Sequence, residues 1–238
     1  MTDNNTLYQY SVLSALMAGL YDGGISIEEI KSKGDFGVGT FEELDGEMIA
    51  FDGEFYQMRS DGSARRVSDS STSPFAAVTF FKEEKSFNTL CRSNKLQLQE
   101  LILEHTPDQN NNFIAIRMDG EFEDIIVRTV PKQSKPYKGL AEVTNNQPTF
   151  RFDRLVGTVV GIRSPEFSQG ISVAGHHWHF ISEDRKRGGH IIDISAIQAV
   201  IRVATMKDIH IRLPIDKHFN KADLLKHSAS EAIKKAEG

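Results

Sequence analysis

Three histidines in one short region are placed to act together. His177 and His179 lie in Gly-His-His-Trp-His-Phe, and His190 follows in Gly-Gly-His-Ile-Ile. In a β-strand side chains alternate between faces, so His177 and His179 point the same way and His176 points the other. A hairpin closed at Gly188-Gly189 would return His190 on the neighbouring strand. Three neutral imidazoles then converge and leave a fourth position open. That donor set suits a catalytic divalent cation, zinc above all. The bland alternative is chance, because the chain holds eight histidines and a lone one is usually a surface or satisfied core residue. The glycine-rich return favours the metal. His105, His210, His218 and His227 stand alone and receive no role.

Other residues read less sharply. Glu47 follows Asp45-Gly46 at the start of a strand, where an exposed acid is the plain reading. Arg128 lies inside the apolar run Ile125 to Val130. There it needs an anionic partner to offset desolvation, or it must snorkel outward from an edge strand. Glu237 is next to the last residue, where an acid is usually solvated. Arg185-Lys186-Arg187 falls in the proposed hairpin loop and reads as a solvated turn.

The elements that must position these residues are mostly strands. Val12, Leu13, Leu16, Met17 and Leu20 form a helical stripe that Gly23-Gly24 ends. Ser26-Ile27-Glu28-Glu29 starts a second helix as a capping box, and Gly34 is placed to stop it. From Phe36 to about Val130 the chain alternates. Strands are expected at Met48 to Phe51, Phe55 to Met58, Ala76 to Phe81, Phe113 to Met118 and Ile125 to Val130. Asp45-Gly46, Asp52-Gly53, Asp61-Gly62 and Asp119-Gly120 are the expected tight turns. One helix interrupts around Leu98 to Leu103. Pro131 to Pro148 reads as a connector. Strands then return at Gly157 to Ile162, Ile171 to Ile181, His190 to Ile194, Ala196 to Thr205 and Ile209 to Leu213, and Lys221 to Gly238 is expected to end helical. The fold class is α+β: two β-rich halves, 1–130 and 131–238, with mixed or antiparallel sheets, few helices, and the metal site on strands of the C-terminal half.

Composition bounds the function. The chain has 238 residues, 39% hydrophobic and 26% charged, with a net charge of −5. It is long enough for a sizeable core. Interspersed acids and bases exclude the basic footprint of a nucleic-acid binder. A single cysteine, Cys91, excludes an internal disulfide and a cysteine metal cluster. No apolar run has the length of a membrane span, and the N-terminus lacks a basic start. A cytoplasmic protein with no membrane partner is expected.

Gly175 to Asp184, followed by Gly188-Gly189-His190, resembles the zinc-binding signature of the α-acetolactate decarboxylase family. The resemblance spans nearly the whole chain in order. It takes in Leu13 to Tyr21, Gly37 to Phe41, Leu44 to Glu47, Asp52 to Tyr56, Arg128 to Val130, Asn146 to Pro148, Gly157 to Gly161 and Arg212 to Pro214. It implies that His177, His179 and His190 bind Zn2+, and that Glu47 approaches the metal. It also implies that Arg128 is the active-site arginine and that Thr40 lines the substrate pocket. A glutamate from the C-terminal tail joins them; Glu237 matches best and Glu231 less well. His176 and Trp178 depart from the family's usual tyrosine and leucine, which affects packing rather than ligation.

The resemblance further implies conversion of (S)-2-acetolactate to (R)-acetoin and CO2. A metal-stabilised enediolate would be protonated on one face, by Glu47 in preference to the tail acid. It implies a homodimer and a place in acetoin and butanediol formation. Two other readings stay open on the residues alone. One is a zinc hydrolase or hydratase using metal-bound hydroxide. The other is a non-catalytic binding module with a related His-x-His strand, a family whose domains are shorter and often basic.

Overall fold

The computed structural model describes residues 5–225. Glu231 and Glu237 lie outside them. The chain opens with β1 (Thr6–Tyr10), α1 (Leu13–Met17), β2 (Ile25–Ser26) and α2 (Ile27–Lys31). The Ser26 side chain accepts a hydrogen bond from the Glu29 amide, as the capping motif requires. A meander follows: β3 (Phe36–Thr40), β4 (Glu47–Phe51), β5 (Glu54–Met58) and β6 (Ala64–Arg66). Asp52 and Gly53 both have positive φ, 53° and 75°, the primed turn that joins β4 to β5. Then come β7 (Thr72–Ser73), β8 (Ala76–Thr79), β9 (Lys85–Asn88) and β10 (Ser93–Asn94). The helix α3 (Lys95–His105) starts with a full capping box between Asn94 and Gln97. The rest is β11 (Phe113–Arg128), α4 (Leu140–Val143), β12 (Thr149–Ser164), β13 (Gly175–Ser182), β14 (Gly188–Met206), β15 (Asp208–Arg212) and α5 (Lys217–Lys221).

The strands form two main sheets. One has the order β15-β1-β8-β3-β4-β5-β6, antiparallel except for the β1–β15 pair. The other has the order β10-β14-β11-β12-β13, with β9 also on β14. In that second sheet β13 pairs back onto β14 through His179 opposite His190. Four strands thereby close on themselves at the histidines. The sheets pack face to face. Leu7, Val38, Ile49 and Phe51 of the first meet Ala115, Val160, Ile162 and Ile181 of the second in one apolar layer. Apart from Ala115, each of these side chains stabilises the fold by about 1.5–3 kcal/mol if fully buried. The helix α3 covers the outer face of the second sheet with Leu98 and Ile102, and α2 covers the first with Ile27 and Ile30.

The α+β class expected from the sequence holds, and the metal-ligand candidates lie on strands of the C-terminal half. Several local expectations differ, one being that His190 to Ile194 and Ala196 to Thr205 are a single strand, β14. The helical end expected in Lys221 to Gly238 lies, beyond 225, outside the described residues. Phe113 to Met118 and Ile125 to Val130 are not separate strands joined by a turn at Asp119-Gly120. They are one continuous strand, β11, ending at Arg128. Gly120 serves close approach instead, since a Cβ there would lie 2.2 Å from the Gln198 carbonyl oxygen on β14. The hairpin between β13 and β14 does not close at Gly188-Gly189. These two are already paired, with Ile181 and Phe180. The turn is 183–187, held by the Ser182 hydroxyl, which donates to Asp184 Oδ1 at 2.5 Å and accepts from the Arg187 amide at 3.1 Å. The first helix is shorter than its stripe and stops at Met17, before Gly19 at φ 85°. The halves read at residue 130 exchange strands: β11 sits inside the second sheet and β15 on the edge of the first.

Candidate metal centre

Alternation along β13 sorts its side chains. Trp178 and Phe180 enter the core under α3, while His177 and His179 face the layer between the sheets together with Ile181. His190 comes to them across the β13–β14 pairing. One ligand nitrogen from each of His177, His179 and His190 lies within 4.8 Å of the others. All three are buried, His179 completely.

Hydrogen bonding fixes which nitrogens are available. His179 Nδ1 lies 2.7 Å from the Met48 carbonyl oxygen of β4. A carbonyl only accepts, so Nδ1 carries the proton and Nε2 presents its lone pair. That Nε2 is 3.1 Å from His177 Nε2. Arg128 Nη2 is 3.2 Å from His190 Nε2, and a guanidinium only donates, so this nitrogen accepts from Arg128 and His190 carries its own proton on Nδ1. Burial, the neighbouring imidazole and Arg128 hold the His177 pKa well below its usual 6.5. Burial and the same kinds of neighbour do so for His190. Burial takes His179 down to about 4, against the pull of the Met48 carbonyl. The trio is neutral at pH 7, the state in which imidazole binds a cation. Convergence, burial and neutral imidazoles, with the His179 tautomer set by the Met48 carbonyl, fit zinc or a similar divalent ion held by three neutral donors.

The other expected residues arrive from both sheets. Arg128 ends β11 directly opposite His190, which is itself opposite His179, so the three stand in one row across adjacent strands. It is 8% exposed on an inner strand, not snorkelling from an edge. Glu47 begins β4, and its Oε2 is 3.6 Å from His179 Nε2. This acid is not the exposed strand end that spacing suggested, because its side chain is only 12% exposed. Thr40 pairs with Glu47 across β3 and β4. Its hydroxyl donates to the Gly46 carbonyl at 2.7 Å and so steadies the turn that delivers Glu47. Thr40, Glu47, Arg128 and His177 line one pocket, whose apolar wall includes Leu13, Leu16, Leu140 and Val173. The Met48 carbonyl was not foreseen; a backbone partner from another sheet leaves no mark in sequence. Gln147 and Thr144, also on the wall, come from the segment read as a connector, in which Asn146 to Pro148 carried the resemblance but no site role. His176 lies on the far face, where burial lowers its pKa to about 3.

Residues 7–226 match the model of the alpha-acetolactate decarboxylase family. The chain is 41% identical over 236 residues to an alpha-acetolactate decarboxylase of Raoultella terrigena, covering 98% of this chain and 90% of the relative. It is 40% identical to that of Bacillus licheniformis, covering 98% and 91%. The crystal structure of alpha-acetolactate decarboxylase from Bacillus subtilis strain 168 superposes with a TM-score of 0.94 at 39% identity, covering 98% of this chain and 99% of that one. Sequence and fold agree over nearly the full length, and the chain belongs to the alpha-acetolactate decarboxylase family.

Proposed function

We propose that the protein converts (S)-2-acetolactate to (R)-acetoin and CO2 with a zinc ion held by His177, His179 and His190. The observation that carries this reading is the gathering of three buried, neutral imidazoles beside the pocket that Glu47, Arg128 and His177 line. When bound, the zinc ion supplies Lewis-acid charge to the vicinal hydroxyl and ketone oxygens of the substrate.

The side chains do the rest. Arg128 binds the substrate carboxylate with its planar fork and sets the direction in which CO2 departs. The bond pair released from the carboxylate carbon passes into the adjacent ketone, giving an enediolate. Glu47, in its acid form, donates one proton to carbon, and the resulting carboxylate regains a proton from water. Delivery from a single strand end restricts the donor to one face of the planar enediolate, which gives a single acetoin enantiomer. The tail acid, Glu237 or Glu231, is the remaining candidate for this transfer. The apolar wall of Leu13, Leu16, Leu140 and Val173 limits competing water at the reacting carbon.

A homodimer and a cytoplasmic setting in acetoin and butanediol formation complete the reading. In support of pairing, the edge strand β15 exposes Ile209 and Ile211. Among the described residues no helix is long and apolar enough to cross a membrane. Incubation with racemic acetolactate, followed by CO2 release and chiral chromatography of acetoin, tests the function. Equal molar CO2 and (R)-acetoin are expected. Racemic acetoin, or no turnover by zinc-loaded protein, would reject it.

A further inference from the structure

A regular β14 could not present His190 to the site. Ile194 and Ala196 of β14 are buried in the layer under α3, two residues apart as in any strand. Continued without interruption, that alternation would put Ile192 and His190 in the same layer. Instead Ile191 lies there, three residues from Ile194. The cause is a bulge. Ile126 of β11 opposes Asp193 and Val127 opposes Ile191, so Ile192 has no opposite residue. One inserted residue flips every side chain beyond it to the other face. Here the flip turns His190 toward His179 and Arg128.

A bulge also leaves ladder carbonyls to be satisfied. Lys95 Nζ reaches both: it donates to the Ile192 carbonyl at 2.9 Å and lies 3.4 Å from the Ile191 carbonyl. The lysine is half-buried and firmly placed. It is the first residue of α3, directly after Asn94, which pairs with Ser195 of β14 and caps the helix. The ammonium therefore bridges the start of α3 to the irregular stretch one and two residues beyond His190.

We propose that Lys95 is a positioning residue of the metal centre, its ammonium holding the Ile192 bulge that aims His190 into the site. The inference rests on the reading of His177, His179 and His190 as metal ligands. Lys95 touches neither the metal nor substrate. Its electrostatic influence runs in the opposite direction to its positioning, because a nearby positive charge disfavours a bound cation. Removing the charge alone would tighten metal binding, whereas releasing the bulge would weaken it.

The test is Co2+ titration of metal-free protein, read by visible absorption, which reports coordination independently of turnover. Wild type is expected to bind one Co2+ per chain with tetrahedral bands, and His190→Ala to lose them. Lys95→Met is expected to bind Co2+ about 10-fold or more weakly, as loss of a group supporting a ligand does, and to alter the bands. Lys95→Arg, which keeps a cationic donor, restores affinity and spectrum. Lys95→Met binding as tightly as wild type, or more tightly, overturns the inference while leaving the metal centre in place. Wild type without Co2+ uptake, or His190→Ala with unchanged uptake, overturns the metal reading itself and this inference with it. Should Lys95→Met not fold, Lys95→Gln is read by the same criteria.

Discussion

At the scale of single residues, the proposed function divides the work between three histidines that would hold a cation and an acid that would move a proton. Glu47 stands 3.6 Å from His179 Nε2, near enough to the trio to act on whatever it binds. Glu47→Gln keeps the shape and removes the transferable proton. It is expected to lower kcat by about 100-fold or more, the usual contribution of a positioned acid, while zinc content by elemental analysis stays at the wild-type level. An unchanged kcat would remove Glu47 from the proton transfer and leave it to the tail acid. His177 and His179 were legible in the sequence because strand alternation turns a spacing of two into a shared face, whereas His190 was reached through a turn at Gly188-Gly189 that lies instead at 183–187. Glu47 and Arg128 were not legible from spacing. The first became a pocket residue only when β3 and β4 aligned it beside Thr40, and the second only when β14 brought His190 opposite. Those pairings lie far apart in sequence, so the family resemblance, not local pattern, pointed to both residues. Nothing local distinguished Lys95 from any other lysine at a helix start.

At the scale of elements, the site depends on two long paired strands, β11 and β14, and on the irregularities in their register. Gly120 lies mid-strand in β11, against Gln198 and Ala199 of β14. Gly120→Ala would place a methyl 2.2 Å from the Gln198 carbonyl oxygen, which the backbone must yield to accommodate. Such overpacking costs roughly 1–3 kcal/mol. The urea midpoint of the variant is expected to fall accordingly; an unchanged midpoint would show that β11 and β14 are not so close at this point. The same glycine explains why sequence reading placed a turn there. Asp-Gly supports a tight turn, as at Asp52-Gly53, and it equally supports close packing of two backbones. The dipeptide alone does not separate the two uses. The bulge at Ile192 was invisible for a related reason, since a bulge is defined by the partner strand.

At the scale of the whole molecule, each sheet draws strands from both sides of residue 130 and the histidine trio is buried between the sheets, so stability and site chemistry are linked. Burial first, then neighbouring positive groups, lowers the pKa of His176, His177, His179 and His190. In the unfolded chain each imidazole protonates near its usual 6.5. Below that pH the unfolded state binds more protons than the folded one, so stability falls with pH. The steepest slope is about 1.4 kcal/mol per pH unit for each imidazole. For His179 the loss ends near its folded value of about 4. Metal-free protein should therefore show a Tm that is level above pH 7 and drops steadily from pH 6.5 to 4. A Tm that does not change over that window would mean the imidazoles are not buried neutral. The α+β class and several strands, such as β4, β5 and β8, could be read from alternation, whereas β1, β6, β9 and β10 went unread. Which strands share a sheet could not be read either, because the pairing of β1 with β15, at opposite ends of the chain, leaves no periodic trace. The central claim, that three histidines hold the one cation on which acetolactate turnover depends, is tested most directly by stoichiometry. Chelator-stripped protein is titrated with Zn2+ while acetoin release is followed on the same sample, for wild type and His179→Ala. Wild-type activity should rise from near zero in a straight line and break at one equivalent per chain, and His179→Ala should stay inactive throughout. Full activity in stripped protein, or a variant that recovers with zinc as wild type does, would contradict the account.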